Sequence, residues 1–333
     1  MAIWNRKGGV AKTTITHTLG FAYALAGRRV LMVDADPQCD LSALLLRGWV
    51  QHKQTHEDTD AGEIDYDLLK DALVPVTAPA GDGGPLALWS PADVTQISLP
   101  AASHGALFLL PGHADVVDYE RKVTVAYASN LSQEAVAPGG WNKLVALTAR
   151  KCGADVVLVD CNPHAGNLNM HIILTSDYLI LPCTPDTYSY NAIKSLPAIM
   201  SKWATMRSNA RSTPMHAELS ESVQIPEGNP RILGVAVMRF TVYAGQASKN
   251  FSLWINKIEN MLRRVTTIMH GMPALAGMVG TPGQPGTLPS LLVQVPDFNQ
   301  LSALSHYYGV PVFALGENQL GSWDRVANKM VPK

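Results

Sequence analysis

The stretch NRKGGVAKTT, residues 5–14, separates a short apolar run from an apolar segment with helical spacing. The run AIWN (2–5) has the composition of a strand, and TTITHTLGFAYALAG (13–27) predicts a helix that ends at Gly27. The next run, VLMV (30–33), is continuously apolar, which is typical of a strand buried on both faces of a parallel sheet. This order predicts an α/β fold: a doubly wound, mostly parallel sheet with helices on both faces.

The loop itself has the features of a phosphate-binding loop. A helix N-terminus offers unpaired N–H groups and the positive end of the helix dipole, and both attract phosphate. Gly8 and Gly9 let the backbone approach a ligand, Lys12 is placed to reach the outer phosphates, and the Thr13 hydroxyl is a candidate ligand of Mg²⁺.

The loop departs from the common pattern G-x-x-x-x-G-K-[ST] at three points. Arg6 and Ala11 occupy the two glycine positions, and Lys7 is an additional lysine. The methyl group of Ala11 fits at this position if its φ angle is negative.

Two further strands end in carboxylates. VLMVDADPQ carries Asp34 and Asp36, and ADVVLVDCNPH carries Asp160. The carboxyl ends of parallel strands lie beside the phosphate loop in such folds. Since a buried carboxylate without a cation is costly, these residues predict a Mg²⁺ site and a hydrolytic water.

Several segments together resemble the ParA/MinD family of deviant Walker A P-loop ATPases, and most closely the ParA-type (Soj-like) partition ATPases. KGGVAKTT resembles the deviant Walker A motif, VDADPQCDLS the switch I segment, and VVLVDCNPHAGNLNM the Walker B and switch II segments. Similar matches follow in family order in LFLLPGHADVVDYE, SDYLILPCTPDTYSYNAI, ILGVAVMRF and VQVPDFNQLSALSHYYGVPVFAL, so that the resemblance runs from residue 2 to about residue 330.

The resemblance implies a role for each matched residue. ATP with Mg²⁺ would be held between two subunits, with Lys7 acting on the partner's phosphates and Lys12 on those of its own subunit. Asp36 would orient or activate the attacking water, whereas Thr13, Asp34 and Asp160 would serve Mg²⁺. The implied nucleotide contacts are Lys7, Gly8, Gly9, Val10, Ala11, Lys12, Thr13, Thr14, Pro296 and Asp297.

The chain departs from the family pattern at two further positions. Asn162 stands where the family often has proline, and Asp297 stands where arginine is common. These differences concern switch II and the contacts to the base.

Composition bounds the class of protein. The chain has 333 residues, of which 47% are apolar and 16% charged, with a net charge of -1, as in an ordinary soluble globular protein. Four cysteines form no C-x-x-C pair, no signal peptide is visible, and no apolar run approaches a membrane span. We therefore expect reduced thiols and a cytoplasmic location, with association with the nucleoid if the protein serves partition.

We expect one ParA-like ATPase domain over residues 1–333. Three stretches differ in composition from the rest and are predicted to be insertions: 51–100, 212–230 and 270–290. The first carries an acidic run and the third contains GTPGQPGT, a loop signal.

Charge is divided unevenly along the chain. Residues 187–333 carry thirteen basic and seven acidic residues, a net charge of +6, which leaves -7 for residues 1–186. Such a basic half is compatible either with an ordinary solvated face or with non-specific binding to double-stranded DNA. The resemblance favours DNA, for which the candidate residues are Arg207, Arg211, Arg263 and Arg264.

The C-terminal GSWDRVANKMVPK (321–333) introduces a rival interpretation. An apolar stripe at helical spacing predicts a helix, formed by Trp323, Val326, Ala327 and Met330. We expect this helix to pack on its own domain. MinD-like proteins instead end in a helix that binds membrane.

The resulting hypothesis is an ATPase that dimerises on ATP and partitions or positions a plasmid, a chromosome or another large cargo. A ParB-like or other cargo adaptor would stimulate its hydrolysis. Two alternatives stay open: a membrane-surface positioning ATPase, and a nucleotide-controlled filament or assembly protein in a regulatory or defence complex.

Overall fold

A computed structural model describes most of the chain. The described residues are 1–46, 92, 94–99, 103–128, 135–243, 246–279, 292–320, 322–324 and 329–331. Most of the predicted insertion at 51–100, and residues 280–290 of the third insertion, lie outside them.

An eight-stranded sheet forms the centre of the fold, in the order β10-β7-β6-β1-β5-β2-β4-β3. All neighbouring pairs in it are parallel except β3–β4, which is antiparallel. Two short antiparallel pairs, β8–β9 and β11–β12, lie outside this sheet. The strands are β1 Ala2–Ile3, β2 Arg29–Ala35, β3 Thr95–Ile97, β4 Ala106–Leu110, β5 Val156–Cys161, β6 Tyr178–Cys183, β7 Arg231–Met238, β8 Val242–Tyr243, β9 Gln246–Ala247, β10 Leu292–Val295, β11 Ser322–Asp324 and β12 Lys329–Val331.

Helices cover both faces of the sheet, so the predicted fold class is confirmed. Alternate residues of β2 belong to two separate apolar clusters: Leu31 and Val33 to one, Val30 and Met32 to the other. This alternation shows that the strand is buried on both faces. The helices are α1 Lys12–Leu25, α2 Val116–Ala128, α3 Ala137–Cys152, α4 Asn167–Thr175, α5 Thr187–Lys194, α6 Leu196–Arg211, α7 Pro214–Glu218, α8 Lys249–His270, α9 Ala276–Val279, α10 Gln300–Tyr308 and α11 Glu317–Leu320.

The parallel strands bring distant parts of the sequence to one edge. β1 lies between β5 and β6, and β5 also pairs with β2, so that Asp34 is the register partner of Asp160. The loop after β1 therefore lies beside the carboxyl ends of β2 and β5, as in open α/β sheets that bind ligands at this edge. All four cysteines are free thiols, as the sequence predicts.

The segment 212–230 is packed onto the domain. It contains α7 and a 3₁₀ turn at Glu221–Val223, and the side chains of Val223 and Ile225 are buried. These apolar contacts fix it beside α3 and α6.

The C-terminal helix prediction is wrong. β11 and β12 pair as antiparallel strands, with Trp323 opposite Met330. The backbone groups of this segment are hydrogen-bonded across to a second strand rather than along a helix. The other two residues of the predicted stripe, Val326 and Ala327, lie outside the described residues.

Within the part of the chain that the structure describes, no helix combines the length and the apolar character that crossing a membrane requires.

Candidate active site

The predicted phosphate loop connects β1 to α1 with the backbone of an anion site. Ala11 is the N-cap of α1, and no side chain caps the first turn, so the N–H groups there are available to a ligand. Gly9 has φ +70°, which glycine adopts without strain. A Cβ added at Gly8 would meet nothing within 4 Å, so the backbone faces open space. Val10 is fully buried, so only its backbone can serve a ligand.

Ala11 does not have a negative φ angle. Its φ is 67° and its ψ is 35°, in the left-handed region. An alanine there costs roughly 1–2 kcal/mol, because its Cβ approaches the following carbonyl oxygen. The conformation is required because the chain turns sharply from the loop into α1 at this residue, and the common glycine of the motif would adopt it freely.

Asn5 fixes the start of the loop to the neighbouring strand. Its buried side chain donates to Pro182 O at 2.5 Å, and its Oδ1 accepts from Lys7 N at 3.0 Å. The end of β6 thus positions the first turn of the loop.

Lys12 is placed among carboxylates at the sheet edge. Its side chain and those of Asp34, Asp36 and Asp160 are all buried. Burial lowers the pKa of Lys12, and the negative charges of Asp160 and Asp36 oppose this shift. The structure therefore brings together the four residues that the sequence predicts for phosphate, Mg²⁺ and water.

The two strand-end aspartates have raised pKa values. Burial raises the pKa of Asp160 to about 8, with a further contribution from the charge of Asp34, whereas Thr13 and Lys12 act in the opposite direction. Burial also raises the pKa of Asp34 to about 6, although hydrogen bonds from Ser42 oppose it. Nearby positive charge does not offset the effect of burial on the pKa of either carboxyl.

The hydrogen bonds of these two carboxyls differ. Asp34 Oδ2 accepts from Ser42 N at 2.8 Å and from Ser42 Oγ at 2.6 Å, and Asp34 Oδ1 accepts from Asp36 N at 3.3 Å. Asp160 Oδ1 accepts from Thr16 Oγ1 at 3.2 Å, but its buried Oδ2 has no partner among the described residues. A buried carboxylate oxygen without a partner fits a site for a cation or its bound water.

These residues fit Mg²⁺ bound together with a nucleotide. Among the described residues, no three His, Cys, Asp or Glu side chains form a ready-made metal cage. Mg²⁺ does not need one, because it usually keeps several waters and takes one or two carboxylates together with substrate phosphates.

Lys7 is held away from the acidic cluster. Its Nζ donates to Asp186 Oδ2 and to Thr184 Oγ1, and it lies 5.8 Å from the centre of the Tyr188 ring. Asp186 is also the N-cap of α5, accepting from the N–H groups of Tyr188 and Ser189. Although partial burial raises the pKa of Asp186, hydrogen bonds from Lys7 and Thr184 outweigh this effect and lower it overall.

A cavity of about 870 Å³ adjoins the loop. Its lining includes Thr14 from α1, Arg239 from the end of β7, and Pro296 and Asp297, the two residues predicted to lie near the base. Asp297 N donates to Phe240 O at 3.0 Å, so the segment after β10 is fixed beside β7. The size and position of the cavity suit the base and sugar of a nucleotide.

Asn162 replaces the proline of the family pattern with a hydrogen-bonded turn. Its Oδ1 accepts from His164 N at 2.9 Å and from Asn169 Nδ2 at 2.6 Å. Asn169 belongs to α4, so this network holds the segment after β5 against the helix that follows it.

The predicted DNA contact at Arg207 is wrong. Arg207 is buried, and its guanidinium donates to Leu174 O, Gly228 O and Asn229 Oδ1. Its role is to hold the segment after α7. Arg211 is partly exposed and forms an ion pair with Glu227.

The other two DNA candidates lie on the surface of α8. Arg264 is exposed, and Arg263 is exposed and paired with Glu259 on the preceding turn of the helix at 2.7 Å.

Several residues of the site were not predicted from the sequence. Ser42, Thr184 and Asp186 hold the predicted side chains, and Arg239 donates to Gly9 O. Asp186 carries one detectable signal, because an aspartate before a polar helix start predicts an N-cap. Its pairing with Lys7 has no local signal, since 179 residues separate the two.

Comparison with known proteins agrees with this geometry. The AAA_31 family, described as an AAA domain, matches residues 1–211, which is more than half of the chain. The chain belongs to this family and to the ParA/MinD group of P-loop ATPases. The match spans the phosphate loop, both strand-end acidic segments and the Lys7–Asp186 pair.

Two relatives of ParA/MinD type are similar to part of the chain. The chain is 28% identical to the sporulation initiation inhibitor protein Soj of Bacillus subtilis over 196 residues, which is 59% of this chain and 62% of Soj. It is also 28% identical to the chromosome partitioning protein ParA of Caulobacter vibrioides over 200 residues, 59% of this chain and 60% of that protein. The matched part of the chain therefore spans only about three fifths of these relatives.

A solved structure supports the fold over nearly the whole chain. The ATP complex of a single-residue variant of McdA from Cyanothece superposes with a TM-score of 0.55 at 17% identity, covering 95% of this chain and 89% of McdA. At this identity the similarity concerns the fold alone.

Proposed function

We propose that the protein is a ParA-type ATPase that binds Mg²⁺–ATP between two copies of the chain and uses hydrolysis to partition or position a large cargo. The observation that carries this proposal is the separation of the two lysines of one loop. Lys12 lies buried beside Asp160 and Asp36, whereas Lys7 is held outside this cluster by Asp186. One lysine thus serves its own site, and the other is positioned at the protein surface.

The proposed roles follow from these positions. The loop N–H groups and Lys12 bind the phosphates, Thr13, Asp34 and Asp160 serve Mg²⁺, and Asp36 orients the attacking water. Mg²⁺ supplies neutralisation of phosphate charge when bound. Since phosphoryl transfer depends mainly on positioning and charge neutralisation, these residues suffice for slow hydrolysis.

The proposed dimer uses Lys7 in trans. The Lys7 and Asp186 side chains are 23% and 35% exposed, so their ion pair is accessible to solvent. Ion pairs of this kind stabilise a protein by about 0–1 kcal/mol, which allows Lys7 to exchange Asp186 for the phosphates of a partner's nucleotide. Tyr188, beside Lys7, is 71% exposed and is available for contact with the partner.

For the cargo track we propose double-stranded DNA, bound without sequence preference. The half of the chain from residue 187 onward carries a net charge of +6, and α8 presents Arg263 and Arg264 to solvent. Phosphate contacts of this type are independent of sequence and weaken with salt. The proposed setting is the cytoplasm, on the nucleoid, with a ParB-like or other adaptor that joins the cargo and stimulates hydrolysis. The similarity to the chromosome partitioning protein ParA of Caulobacter vibrioides supports this role.

Binding to random-sequence duplex DNA tests the proposal, measured with ATP, with ADP and without nucleotide. We expect the wild type to bind only with ATP and to release DNA as salt rises, and Lys12→Ala to bind under no condition. Arg264→Ala should lower the salt slope by about one. Its matched control is Arg150→Ala, an exposed arginine in the last turn of α3, at the opposite edge of the sheet.

Hydrolysis separates the two lysines. We expect Lys7→Ala to retain much of the ATP binding and to lose hydrolysis, whereas Lys12→Ala loses binding itself. Wild-type turnover by Lys7→Ala would contradict the trans role. An ATPase that binds no DNA in any state would contradict the DNA track alone and redirect the search to membranes and protein assemblies.

A further inference from the structure

Arg239 occupies the junction between the phosphate loop and the adjoining cavity. It follows directly after Met238, the last residue of β7, and its side chain is exposed. Of the residues that the structure places in the cavity lining, it is the only lysine or arginine. It therefore contributes a permanent positive charge to a lining that is otherwise largely apolar.

The side chain is directed to the phosphate loop. Arg239 Nη1 donates to Gly9 O at 3.1 Å, the only acceptor that it has among the described residues. Within the same described part of the chain, no carboxylate forms an ion pair with it. A guanidinium carries five N–H donors, so most of its hydrogen-bonding capacity remains for a ligand.

The backbone fixes Arg239 in this place. Its φ is +59°, in the left-handed region that favours glycine. The next residue, Phe240, is buried, and its carbonyl accepts from Asp297 N, which anchors the turn to the other wall of the cavity. Strained backbone of this kind concentrates at ligand sites, where neighbouring structure holds it in place.

We propose that Arg239 binds the phosphate nearest the sugar of the bound nucleotide, an inference that rests on the proposed function. A nucleotide whose base and sugar occupy the cavity and whose outer phosphates reach Lys12 must pass its innermost phosphate between these two places. Arg239 lies there, and guanidinium matches the geometry of phosphate oxygens. Gly9 O is its partner in the free protein, and a phosphate oxygen takes over when the site is filled.

From this position we expect Arg239 to affect the binding of ATP and of ADP alike. ATP and ADP share the innermost phosphate, so Arg239 stabilises both equally and contributes nothing that distinguishes them. It therefore sets how tightly either nucleotide is retained. Lys7 and Lys12, by contrast, act on the outer phosphates.

Isothermal titration calorimetry with ATP and with ADP tests this, using Arg239→Gln and Arg239→Lys. Glutamine keeps a donor for Gly9 O but removes the charge, whereas lysine keeps the charge. Because hydrogen bonds to charged groups are stronger than those between neutral groups, we expect Arg239→Gln to raise the Kd of both nucleotides about tenfold or more. Arg239→Lys should recover most of the affinity for both nucleotides.

The matched control is Arg231→Gln, at the other end of the same strand, where the side chain is also exposed. It should bind both nucleotides like the wild type.

Each other outcome contradicts a defined claim. Wild-type affinity in Arg239→Gln, or a loss confined to ATP, would overturn the inference. Equal loss in the Gln and Lys variants, with a lower melting temperature of the nucleotide-free protein, would assign Arg239 a purely structural role. If the wild type binds neither nucleotide, the proposed function fails as well, so the two failures are distinguishable.

Discussion

Two buried polar clusters of this molecule are built on opposite principles. In the helical layer, Tyr127 OH lies 2.8 Å from His171 Nδ1, and His171 Nε2 lies 2.7 Å from Asn142 Oδ1. At the sheet edge, Asp160 keeps a buried oxygen without a partner among the described residues, and its pKa is raised to about 8 by burial. We call the first the histidine network and the second the acidic edge.

The two clusters differ in whether their polar atoms all have hydrogen-bond partners, and therefore in their effect on stability. In the histidine network every polar atom named above has a partner, so the network contributes to stability and to a unique packing of α2, α3 and α4. The acidic edge is left incomplete, and a bound cation and nucleotide would complete it. The buried carboxylate oxygen of Asp160 without a partner fits a site for a cation or its bound water, whereas the hydrogen-bonded groups of the histidine network fit a structural role.

We expect the largest change in stability from a substitution that disrupts the histidine network. His171→Leu removes the central, buried member and leaves Tyr127 OH and Asn142 without their partner in a partly buried region, so the free energy of unfolding should fall by about 3 kcal/mol. Urea denaturation measures the loss. His104→Leu, at an exposed position, should change stability by less than about 0.5 kcal/mol. A loss below about 1 kcal/mol in His171→Leu would show that the network is not structural.

The next effect has the opposite sign and concerns the acidic edge. Asp160→Asn removes a buried carboxyl whose charge is poorly compensated, so the nucleotide-free protein should gain about 2 kcal/mol at pH 8. The same change should abolish the rise in melting temperature caused by Mg²⁺–ATP. Differential scanning fluorimetry gives both quantities, with the exposed Asp118→Asn as control. A destabilised variant that still responds to Mg²⁺–ATP would refute this account of the acidic edge.

The stability that His171 contributes should depend on pH. Burial, together with the charge of Arg207, lowers the pKa of His171 to about 3, and Tyr127 is the other titratable group that contacts it. Since its folded pKa lies below the ordinary value near 6.5, His171 contributes stability that is present above pH 6.5 and lost as pH falls.

The stability advantage of the wild type over His171→Leu should therefore shrink by about 1 kcal/mol between pH 6.5 and pH 5.5. Urea denaturation at both values tests this, and the carboxyls of the acidic edge cancel in the difference. A constant advantage would mean that the pKa of His171 is the same in the folded and the unfolded protein.

The smallest effect concerns the backbone of the phosphate loop. Ala11→Gly relieves the left-handed conformation at the N-cap of α1 but gives the unfolded chain more freedom, so we expect a gain of about 1 kcal/mol or less. Ala22→Gly, at an exposed position inside α1, should instead cost about 1 kcal/mol. Equal losses in both variants would mean that Ala11 is not strained.

The architecture could be predicted from the sequence because each element carries a local sequence signal. Apolar runs of β2 and β5 and the glycine loop before α1 each predict an element, and parallel pairing then places Asp34 beside Asp160. The conformation of Ala11 was not predictable in this way, since the sharp turn into α1 overrides the preference of alanine. Arg207 failed as a DNA candidate because its acceptors come from two segments distant in sequence, the last turn of α4 and the loop after α7.

The ion pair of Lys7 with Asp186 has a consequence for reversibility. In the proposed dimer, Lys7 would leave one anionic partner for another, so closing the dimer would exchange electrostatic contacts rather than add one. Asp186 would keep hydrogen-bond partners, because it continues to accept from the N–H groups at the start of α5. The free energy of closing the dimer would therefore be close to zero. Loss of one phosphate would then be enough for Lys7 to return to Asp186. A protein that must assemble and come apart many times needs such a small difference between its two states.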